Sequence, residues 1–446
     1  MTNYNNVFST LVCMIHLSAS LGYYKRPEVQ EAIVAHAAGK EVAVRFNEQF
    51  GKRPDVLQYA GDVLEFAKRG ATSFHCSEEL WSSPLQLKPL MGRKELDELR
   101  MGWDLVLDVD CKHLEYSKVA ADLIVKALMH HNIRTLSVKF SGNHGFHIGV
   151  PFEAFPREIH GVDVRLLFPD AAKRVALYVK EKIATSLAAR ILEIEGNFNS
   201  IAAKTGVDVS LISRDKDGNL VKDEAGKVLP NVDPFLAIDT LLISSRHMYR
   251  MPYSLHEKSG LVSVPLLPDE ILSFSRDSAV PEGVVVSKIK FLDRDKALAG
   301  EASGLFSDAF DATAKSPVFE SEEKEYEVPA EAIPEKFFPP CIQKLLLGVK
   351  DGRKRALFIL LNFLASCGWG YEAILARLAE WNKNNPEPLH QTYFLGQIRY
   401  HKQHVKKILP PSCNNPAYYQ DLRVKCPDEI CKFKNPVFYA RRRSGK

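Results

Sequence analysis

The chain contains 446 residues, of which 46% are apolar and 26% are charged. Because a domain usually has about 150 residues, this length predicts two or three folded units, and the composition excludes a disordered chain, collagen and a coiled coil. The longest apolar stretch near the amino end, residues 7–23, includes His16 and several serines with no basic residue before it, unlike a signal peptide or a membrane-spanning helix. We therefore expect a cytoplasmic protein without a membrane partner.

Charge is distributed unevenly along the chain, although its formal net charge is only +4. Residues 341–446 hold 19 Lys and Arg against 7 Asp and Glu, which predicts a surface for polyanions such as nucleic acid. The preceding residues 301–340 hold ten acidic side chains, three basic ones and five prolines, a composition typical of an acidic linker. The alternative for either charge run is solvated surface that keeps the chain soluble.

The most informative predicted strand covers residues 103–110. Alternation with period two divides it into two faces, Leu105, Leu107 and Val109 on one and Asp104, Val106, Asp108 and Asp110 on the other. Carboxylates two apart on a strand are about 6.6 Å apart at Cα, and they repel each other unless a cation lies between them. Mg²⁺ or Mn²⁺ suits such hard oxygen ligands, and a pair of these metals supports phosphoryl transfer. An isolated Asp-x-Asp is more often a solvated strand end.

Two further segments carry groups that bind anions. The pattern predicts a helix and two strands at residues 116–131, 135–141 and 146–150. The turn between the strands contains two glycines, whose exposed amides suit phosphate oxygens, and Ser141, His144 and His147 add donors. Farther along, Asp239 is followed by a group of anion donors that are Arg250, His256 and Lys258. Each of these residues alone is compatible with a structural role.

Taken together and in this order, the segments resemble the catalytic small subunit of archaeal and eukaryotic DNA primases. That family joins a strand-borne Asp-x-Asp, a Ser-Gly-x-x-Gly-x-His turn, and an Asp followed by a basic residue and Pro-x-Ser-x-His; the resemblance covers residues 20–275. It implies that two Mg²⁺ or Mn²⁺ ions are bound by Asp108, Asp110 and Asp239. It also implies that the incoming triphosphate is held by Ser141, His144, His147, Arg250, His256 and Lys258.

The chain departs from the family pattern at several positions. His144 stands where the family commonly has Arg, which makes the charge offered to the triphosphate lower or dependent on pH. Lys40 stands in the place of the Arg of an upstream Arg-Glu-Phe motif, and the nearby Arg45 competes with it for a nucleotide-binding role. Asp233 is the alternative to Asp239 as third carboxylate. We expect no zinc knob, because the amino-terminal cysteines do not cluster at ligand spacing; they are Cys13, Cys76 and Cys111.

The carboxyl-terminal block contains five more cysteines, of which four are candidate ligands at uneven spacing, Cys341, Cys413, Cys426 and Cys431. Four thiolates can hold a [4Fe–4S] cluster or a structural Zn²⁺, and spacing alone does not decide between them. The surrounding prolines, the Gly-Arg-Lys-Arg segment and the final Asn-Pro resemble the iron–sulfur domain of the primase large subunit. This resemblance implies a [4Fe–4S] cluster and contacts to template phosphates or to the initiating nucleotide from Arg353, Arg355, Arg399 and His401. The alternative for each Arg is a solvated helix face. Cys367 is expected in the apolar core.

The expected fold class is α+β. Residues 1–300 would form an archaeo-eukaryotic primase catalytic core, a mixed sheet with helices, and residues 301–336 an acidic linker. Residues 337–446 would form a mainly α-helical iron–sulfur domain. This arrangement resembles a compact single-chain archaeal primase.

The function implied by this resemblance is DNA priming: synthesis of short primers on single-stranded DNA from NTPs by two-metal nucleotidyl transfer, with the carboxyl-terminal domain assisting initiation. The expected partners are the DNA template, NTPs and dNTPs, the RNA or DNA primer and replisome proteins, at the nucleoid. One alternative is a primase-polymerase or repair polymerase of the same superfamily that mainly extends existing ends. Another is a non-catalytic nucleic-acid-binding protein that contains zinc.

Overall fold

A computed structural model describes residues 17–46, 49–88, 91–215, 218–238, 243–314, 328–329, 331–350, 352–403, 409–413, 416–419, 422, 424 and 433–445. The chain divides into two compact units, Met1–Glu320 and Ser321–Lys446. Within these described ranges, no helix is both long enough and apolar enough to cross a membrane.

The strands of the first unit form two main antiparallel sheets. The strands are β1 (Val42–Phe46), β2 (Gln49–Phe50), β3 (Ser73–Ser77), β4 (Glu79–Trp81), β5 (Arg100–Trp103), β6 (Leu105–Cys111), β7 (Ser137–Phe140), β8 (Phe146–Val150), β9 (Glu158–Ile159), β10 (Val162–Asp163), β11 (Leu236–Ile238), β12 (Met248–Arg250) and β13 (Pro265–Leu266). In the described residues, one sheet has the order β11-β6-β8-β7-β13 and the other the order β12-β3-β1-β2. Two short pairs, β4-β5 and β9-β10, complete the set.

Helices cover the outer faces of these sheets. They are α1 (Leu17–Tyr24), α2 (Pro27–Ala37), α3 (Ala60–Lys68), α4 (Arg93–Leu99), α5 (Leu114–His130), α6 (Asp170–Glu195), α7 (Phe198–Thr205), α8 (Val209–Ser213) and α9 (Ser303–Thr313). One hydrophobic core joins α5, α6 and α9 to the five-stranded sheet. A second core joins α1, α2 and α3 to the four-stranded sheet. The unit therefore contains two helix-backed sheets.

The predicted elements around the aspartates are confirmed. Leu105, Leu107 and Val109 are at most 1% exposed, as the period-two pattern of β6 requires. The predicted helix at 116–131 is α5, and the strands predicted at 135–141 and 146–150 are β7 and β8. The α+β class is confirmed as well, although the described strand pairs are all antiparallel rather than mixed in direction.

One part of the predicted linker belongs to the first unit. Helix α9 occupies residues 303–313, and Leu305, Phe306 and Ala309 are fully buried in the core against α6. These apolar residues recur at intervals of three to four, the period of an amphipathic helix. The acidic composition of residues 301–340 as a whole conceals that period. Residues 301–313 are therefore structured, and the linker prediction is wrong there.

The second unit is helical in its described residues. Its helices are α10 (Pro340–Leu346), α11 (Arg353–Ser366), α12 (Tyr371–Asn384), α13 (Gln391–Gln403), α14 (Pro416–Tyr419) and α15 (Pro436–Ser444). The predicted helix at 356–367 corresponds to α11, and Cys367 is fully buried, as expected for a core residue. Asn435 caps α15 by accepting a hydrogen bond from Val437 N at 3.0 Å.

Candidate active site

A cavity of about 210 Å³ lies between the two sheets of the first unit. Six of the residues predicted from sequence line it, Asp108, Asp110, Ser141, His147, Arg250 and His256. The other lining residues are His75, Glu78, Val106, Asn143, Ile243, His247, Met248 and Tyr249. Asp108 and Asp110 come from the five-stranded sheet, whereas Arg250 comes from the four-stranded sheet and Glu78 directly follows one of its strands. The fold therefore brings together residues that are far apart in sequence, such as Asp108 and His256, which are separated by 148 positions.

The two aspartates lie on the solvent-accessible face of β6. The Asp108 side chain is 43% exposed, and Asp110 is exposed as well, whereas their neighbours Leu107 and Val109 are fully buried. Asp239 lies outside the described residues. Strand β11 ends one residue before it, at Ile238, which pairs with Val109 of β6.

His147 faces Asp108 across the β6–β8 pair, with 3.4 Å between His147 Nε2 and Asp108 Oδ1. Burial and the nearby Lys139 and Arg250 hold the pKa of His147 well below its usual value, so the imidazole is neutral at pH 7. Its Nδ1 is buried and has no hydrogen-bond partner. A buried polar atom without a partner is costly, and a bound ligand that pairs with it would remove that cost.

Lys139 is a buried cation that our sequence reading overlooked. It pairs with His147 across the β7–β8 ladder, and its Nζ donates to Ser263 Oγ at 2.9 Å. Burial, and then Arg250, lower the pKa of Lys139 to about 7, while Asp108 opposes this shift. A Lys two residues before Ser141, on the polar face of an apolar strand, is a pattern that could have revealed it.

The glycine turn after β7 packs tightly against both walls of the cavity. Gly142 has a φ of +101°, and a Cβ atom there would lie 2.8 Å from the Cβ of His256. A Cβ on Gly145 would lie 2.1 Å from the carbonyl oxygen of Val109 in β6. Gly145 N also donates to Ser141 Oγ at 3.2 Å. Both glycines are required here, because a side chain would push the turn off the aspartate strand.

The opposite wall carries Arg250 and His256. Arg250 is 8% exposed, and its Nη1 donates to the carbonyl oxygen of Leu255 at 2.7 Å. Its Nη2 donates to Glu257 Oε2 at 2.8 Å. Burial and the adjacent Arg250 lower the pKa of His256 to about 4, so this ring is also neutral at pH 7.

An acid–histidine pair completes this wall, and our sequence reading did not single it out. His247 Nδ1 and Glu78 Oε1 are 2.8 Å apart, and the Glu78 side chain is only 3% exposed. Both residues line the cavity. His247 lies in the basic segment that contains Arg250, but Glu78 is 169 residues away from it. Only the fold reveals this pair.

Other predicted nucleotide-binding residues lie outside this cavity. His144 lines a neighbouring cavity of about 370 Å³ that shares Asp110 and Asn143 with the first and also contains Asp233. Lys258 is exposed and does not line the cavity. Arg45 does not line this cavity, and its Nη1 lies 2.6 Å from Glu257 Oε1.

Lys40 requires a correction. It is 1% exposed, and its Nζ donates to Asp104 Oδ2 at 2.6 Å and to the carbonyl oxygen of Ser77 at 3.0 Å. A buried cation needs a carboxylate partner, and this one has it. Lys40 is therefore a structural ion-pair residue and not part of the cavity wall.

The predicted residues of the second unit are only partly described. Arg353 forms an ion pair with Glu387 at 2.9 Å, while Arg355 and Arg399 are exposed and His401 is half-buried. Cys341 is buried and Cys413 half-buried, whereas Cys426 and Cys431 lie outside the described residues. Across the part of the chain that the structure describes, no three His, Cys, Asp or Glu side chains are grouped as a metal site.

The donor chemistry of the cavity fits a divalent cation. Asp108 and Asp110 offer exposed carboxylate oxygens side by side on one strand, which are the ligands that Mg²⁺ and Mn²⁺ prefer. The neutral ring of His147 beside Asp108 adds no competing positive charge. These residues would hold such an ion at the aspartate edge.

Comparison with known proteins gives limited matches. No protein-family model matches the chain. A curated protein of Methanocaldococcus jannaschii, named only as uncharacterized, is 28% identical over 109 residues, which cover 24% of this chain and 23% of that relative. The chain thus matches less than a quarter of that relative's length. Among solved structures, the polymerase domain of Mycobacterium tuberculosis ligase D in complex with DNA covers 66% of this chain and 92% of its own, with 17% identity and a TM-score of 0.36. Because this TM-score is below 0.5, the function proposed below is argued from the cavity residues alone.

Proposed function

We propose that the first unit is a nucleotidyltransferase that synthesises primers on single-stranded DNA from nucleoside triphosphates. The observation that carries this proposal is one cavity in which the half-exposed Asp108 and the exposed Asp110 face a wall that contains Arg250 and His256. Phosphoryl transfer needs this combination, because catalysis is mainly positioning and stabilisation of charge on the phosphates. A purely nucleic-acid-binding protein has no need of paired carboxylates at such a site.

The residues of the cavity have different roles in the proposed reaction. Asp108 and Asp110, with Asp239 as the expected third carboxylate, would hold the divalent ions. Bound Mg²⁺ or Mn²⁺ supplies activation of the attacking 3′-hydroxyl and stabilisation of the departing pyrophosphate. Arg250 stabilises the negative charge of the triphosphate, and the buried Lys139 adds positive potential behind the cavity wall.

The glycine turn and the neutral histidines orient the substrate. The turn places Ser141 at the cavity beside the aspartate strand. His147 and His256, neutral at pH 7, offer ring nitrogens that hydrogen-bond without adding charge. The attacking hydroxyl would lie near Asp110, where the main cavity meets the neighbouring one.

For the second unit we propose a basic [4Fe–4S] domain that assists initiation by holding template or initiating nucleotide. Its support is the basic surplus of residues 341–446 and the clustering of Arg441, Arg442 and Arg443 in the last turn of α15. Cys413 N donates to the carbonyl oxygen of Lys434 at 2.9 Å, which ties the second cysteine to the segment before α15. Anaerobically purified protein should be brown with about four irons per chain. Colourless protein with one zinc would refute the cluster.

The decisive experiment for the first unit replaces both described aspartates. We expect the Asp108→Ala, Asp110→Ala double variant to lose labelled NTP incorporation on unprimed single-stranded DNA by about 10³-fold or more, since metal-held charge stabilisation contributes several kcal/mol. Its affinity for the single strand should remain. The matched control is Asp269→Ala, an exposed carboxylate outside the cavity.

Two results would count against the proposal. Undiminished incorporation by the double variant would refute the role of the cavity. Wild-type protein that extends a primed strand but makes no product on an unprimed one would instead favour a repair polymerase over a primase.

A further inference from the structure

Two arginines from different strands are presented on one face of the four-stranded sheet. Arg250 of β12 pairs with His75 of β3, and Arg45 of β1 pairs with Ser73 of β3. Cross-strand partners share a face, and so do residues two apart on one strand. The four side chains therefore project from the same side. The two arginines are two strand spacings apart, about 10 Å across the sheet, and are offset by two residues, about 7 Å, along it.

Glu257 lies between these two arginines and contacts both. Its Oε1 accepts from Arg45 Nη1 at 2.6 Å, and its Oε2 accepts from Arg250 Nη2 at 2.8 Å. Ser73 Oγ lies 3.3 Å from Oε2. The Glu257 side chain is 8% exposed and the Arg45 side chain 22% exposed. Glu257 does not line the cavity, although it is adjacent in sequence to His256, which does.

The carboxylate remains charged in this setting. Burial by itself would raise the pKa of Glu257, but Arg250 and the other nearby cations outweigh burial and hold the pKa below its usual value. Two guanidinium groups and one carboxylate leave a net positive charge near the cavity. Because Arg250 is fixed by Glu257 at one nitrogen and by the carbonyl of Leu255 at another, the plane of its guanidinium is set before any ligand binds.

We propose that Glu257 is a positioning residue that fixes the Arg250 guanidinium against the polyphosphate of a bound nucleoside triphosphate, and that Arg45 acts only as the second anchor of Glu257. This inference rests on the proposed function of the same cavity. It assigns Arg45 a role behind the cavity wall instead of a direct contact with the triphosphate. It also identifies Glu257 as part of the site, although its negative charge is opposite to what a phosphate pocket would recruit.

The arrangement makes a specific kinetic prediction. Removing the negative charge of Glu257 leaves two nearby cations less neutralised, so attraction for a polyanion does not weaken. The hold on Arg250 is weakened, however, because its charged anchor is gone and the carbonyl of Leu255 is the anchor that remains, and orientation matters most in the transition state. A positioning role therefore lowers kcat while leaving nucleotide affinity intact. A merely structural ion pair would change the melting temperature and leave kcat of the folded protein unaltered.

The test is a double-mutant cycle on the full-length protein, using Glu257→Gln, Arg45→Met and the combination. Primer synthesis on single-stranded DNA gives kcat, and calorimetric titration with ATP and Mn²⁺ gives affinity. We expect Glu257→Gln to lower kcat about 30-fold with a Kd no weaker than that of the wild type, and Arg45→Met to lower kcat about fivefold. In the Glu257→Gln background, Arg45→Met should have no further effect. The matched control is Glu282→Gln, which makes the same change from carboxylate to carboxamide at an exposed position.

Each other outcome overturns a defined part of the proposal. If Arg45→Met lowered kcat by the same factor in the wild type and in Glu257→Gln, Arg45 would contact the substrate directly. A wild-type kcat in Glu257→Gln would mean that the ion pairs are only structural. If Glu257→Gln does not fold, Arg45→Met alone decides, because wild-type kcat in that variant contradicts an anchoring role. A wild-type protein that neither binds ATP nor makes product would refute the proposed function itself.

Discussion

Two aspartates four residues apart, one just before strand β6 and one in the middle of it, are in opposite environments. Asp104, immediately before the strand, is fully buried and pairs with Lys40 at 2.6 Å and with Arg294 at 2.7 Å. Asp108 is 43% exposed at the cavity and lies 3.4 Å from a neutral His147. The period-two pattern assigns both to the same face. Burial, which the pattern does not contain, distinguishes a carboxylate enclosed in a buried ion pair from one that faces the cavity.

The largest expected effect on stability comes from Asp104→Asn. This change leaves the buried Lys40 ammonium without its charge partner, which should lower the free energy of unfolding by about 3–5 kcal/mol. Asp108→Asn, at a half-exposed position, should change it by less than about 0.5 kcal/mol. Urea unfolding of the two variants side by side measures the contrast. Equal losses of unfolding free energy in the two variants would show that burial and ion pairing do not distinguish Asp104 from Asp108.

A second expected effect is a pH dependence of stability caused by Lys139. This buried amine is hydrogen-bonded to the hydroxyl of Ser263, whereas the buried Lys40 is paired with a carboxylate. Its pKa is lowered to about 7 in the folded chain, whereas Lys in the unfolded chain keeps its ordinary pKa. Between about pH 7 and 10 the Lys139 amine is therefore protonated in the unfolded chain and mostly neutral in the folded one. Stability should therefore rise with pH over that range, by up to about 1.4 kcal/mol per pH unit. Lys139→Met should remove this rise.

Unfolding in chelator-containing buffer at pH 7, 8 and 9 measures this second effect, because chelation removes any divalent ion from Asp108. Wild type and Lys139→Met with parallel pH profiles would contradict it.

The smallest expected effect is that of Arg294→Met. Arg294 is 30% exposed and contacts both Asp104 and Glu153 at 2.7 Å. Because Lys40 still neutralises Asp104 and the lost pairs are partly solvated, the free energy of unfolding should fall by about 1 kcal/mol. Thermal and urea unfolding would check this value. A loss as large as that of Asp104→Asn would mean that Arg294, and not Lys40, is the main partner of the buried carboxylate.

Much of the local structure followed from the sequence. Hydrophobic periodicity was sufficient for β6, β7, β8 and α5, because each has one buried face with a regular repeat. The motif resemblance placed six of its residues, including Asp108 and Arg250, around one cavity. Whether Asp239, Cys426 and Cys431 join these sites stays a prediction, since they lie outside the described residues.

What the sequence did not reveal were the partners. Lys40 was expected at the triphosphate, but its carboxylate partner lies 64 residues away. Glu257 was not among the predicted site residues, and its link to Arg45 spans 212 residues. The helix α9 was hidden in an acidic segment whose overall charge outweighed a short apolar repeat. For Lys40 and Glu257 the deciding interaction is long-range, and local pattern contains no information about it.

The placement of the cavity between two sheets has a mechanical consequence. Asp108 is carried by the sheet packed on α5 and α6, whereas Arg250 is carried by the sheet packed on α1, α2 and α3. The gap between the acidic and the basic wall is thus governed by how these two cores meet, far from any reacting atom. A substitution at that junction could widen or narrow the gap between the two walls by a fraction of an ångström. It would then alter turnover although every side chain at the site remained unchanged.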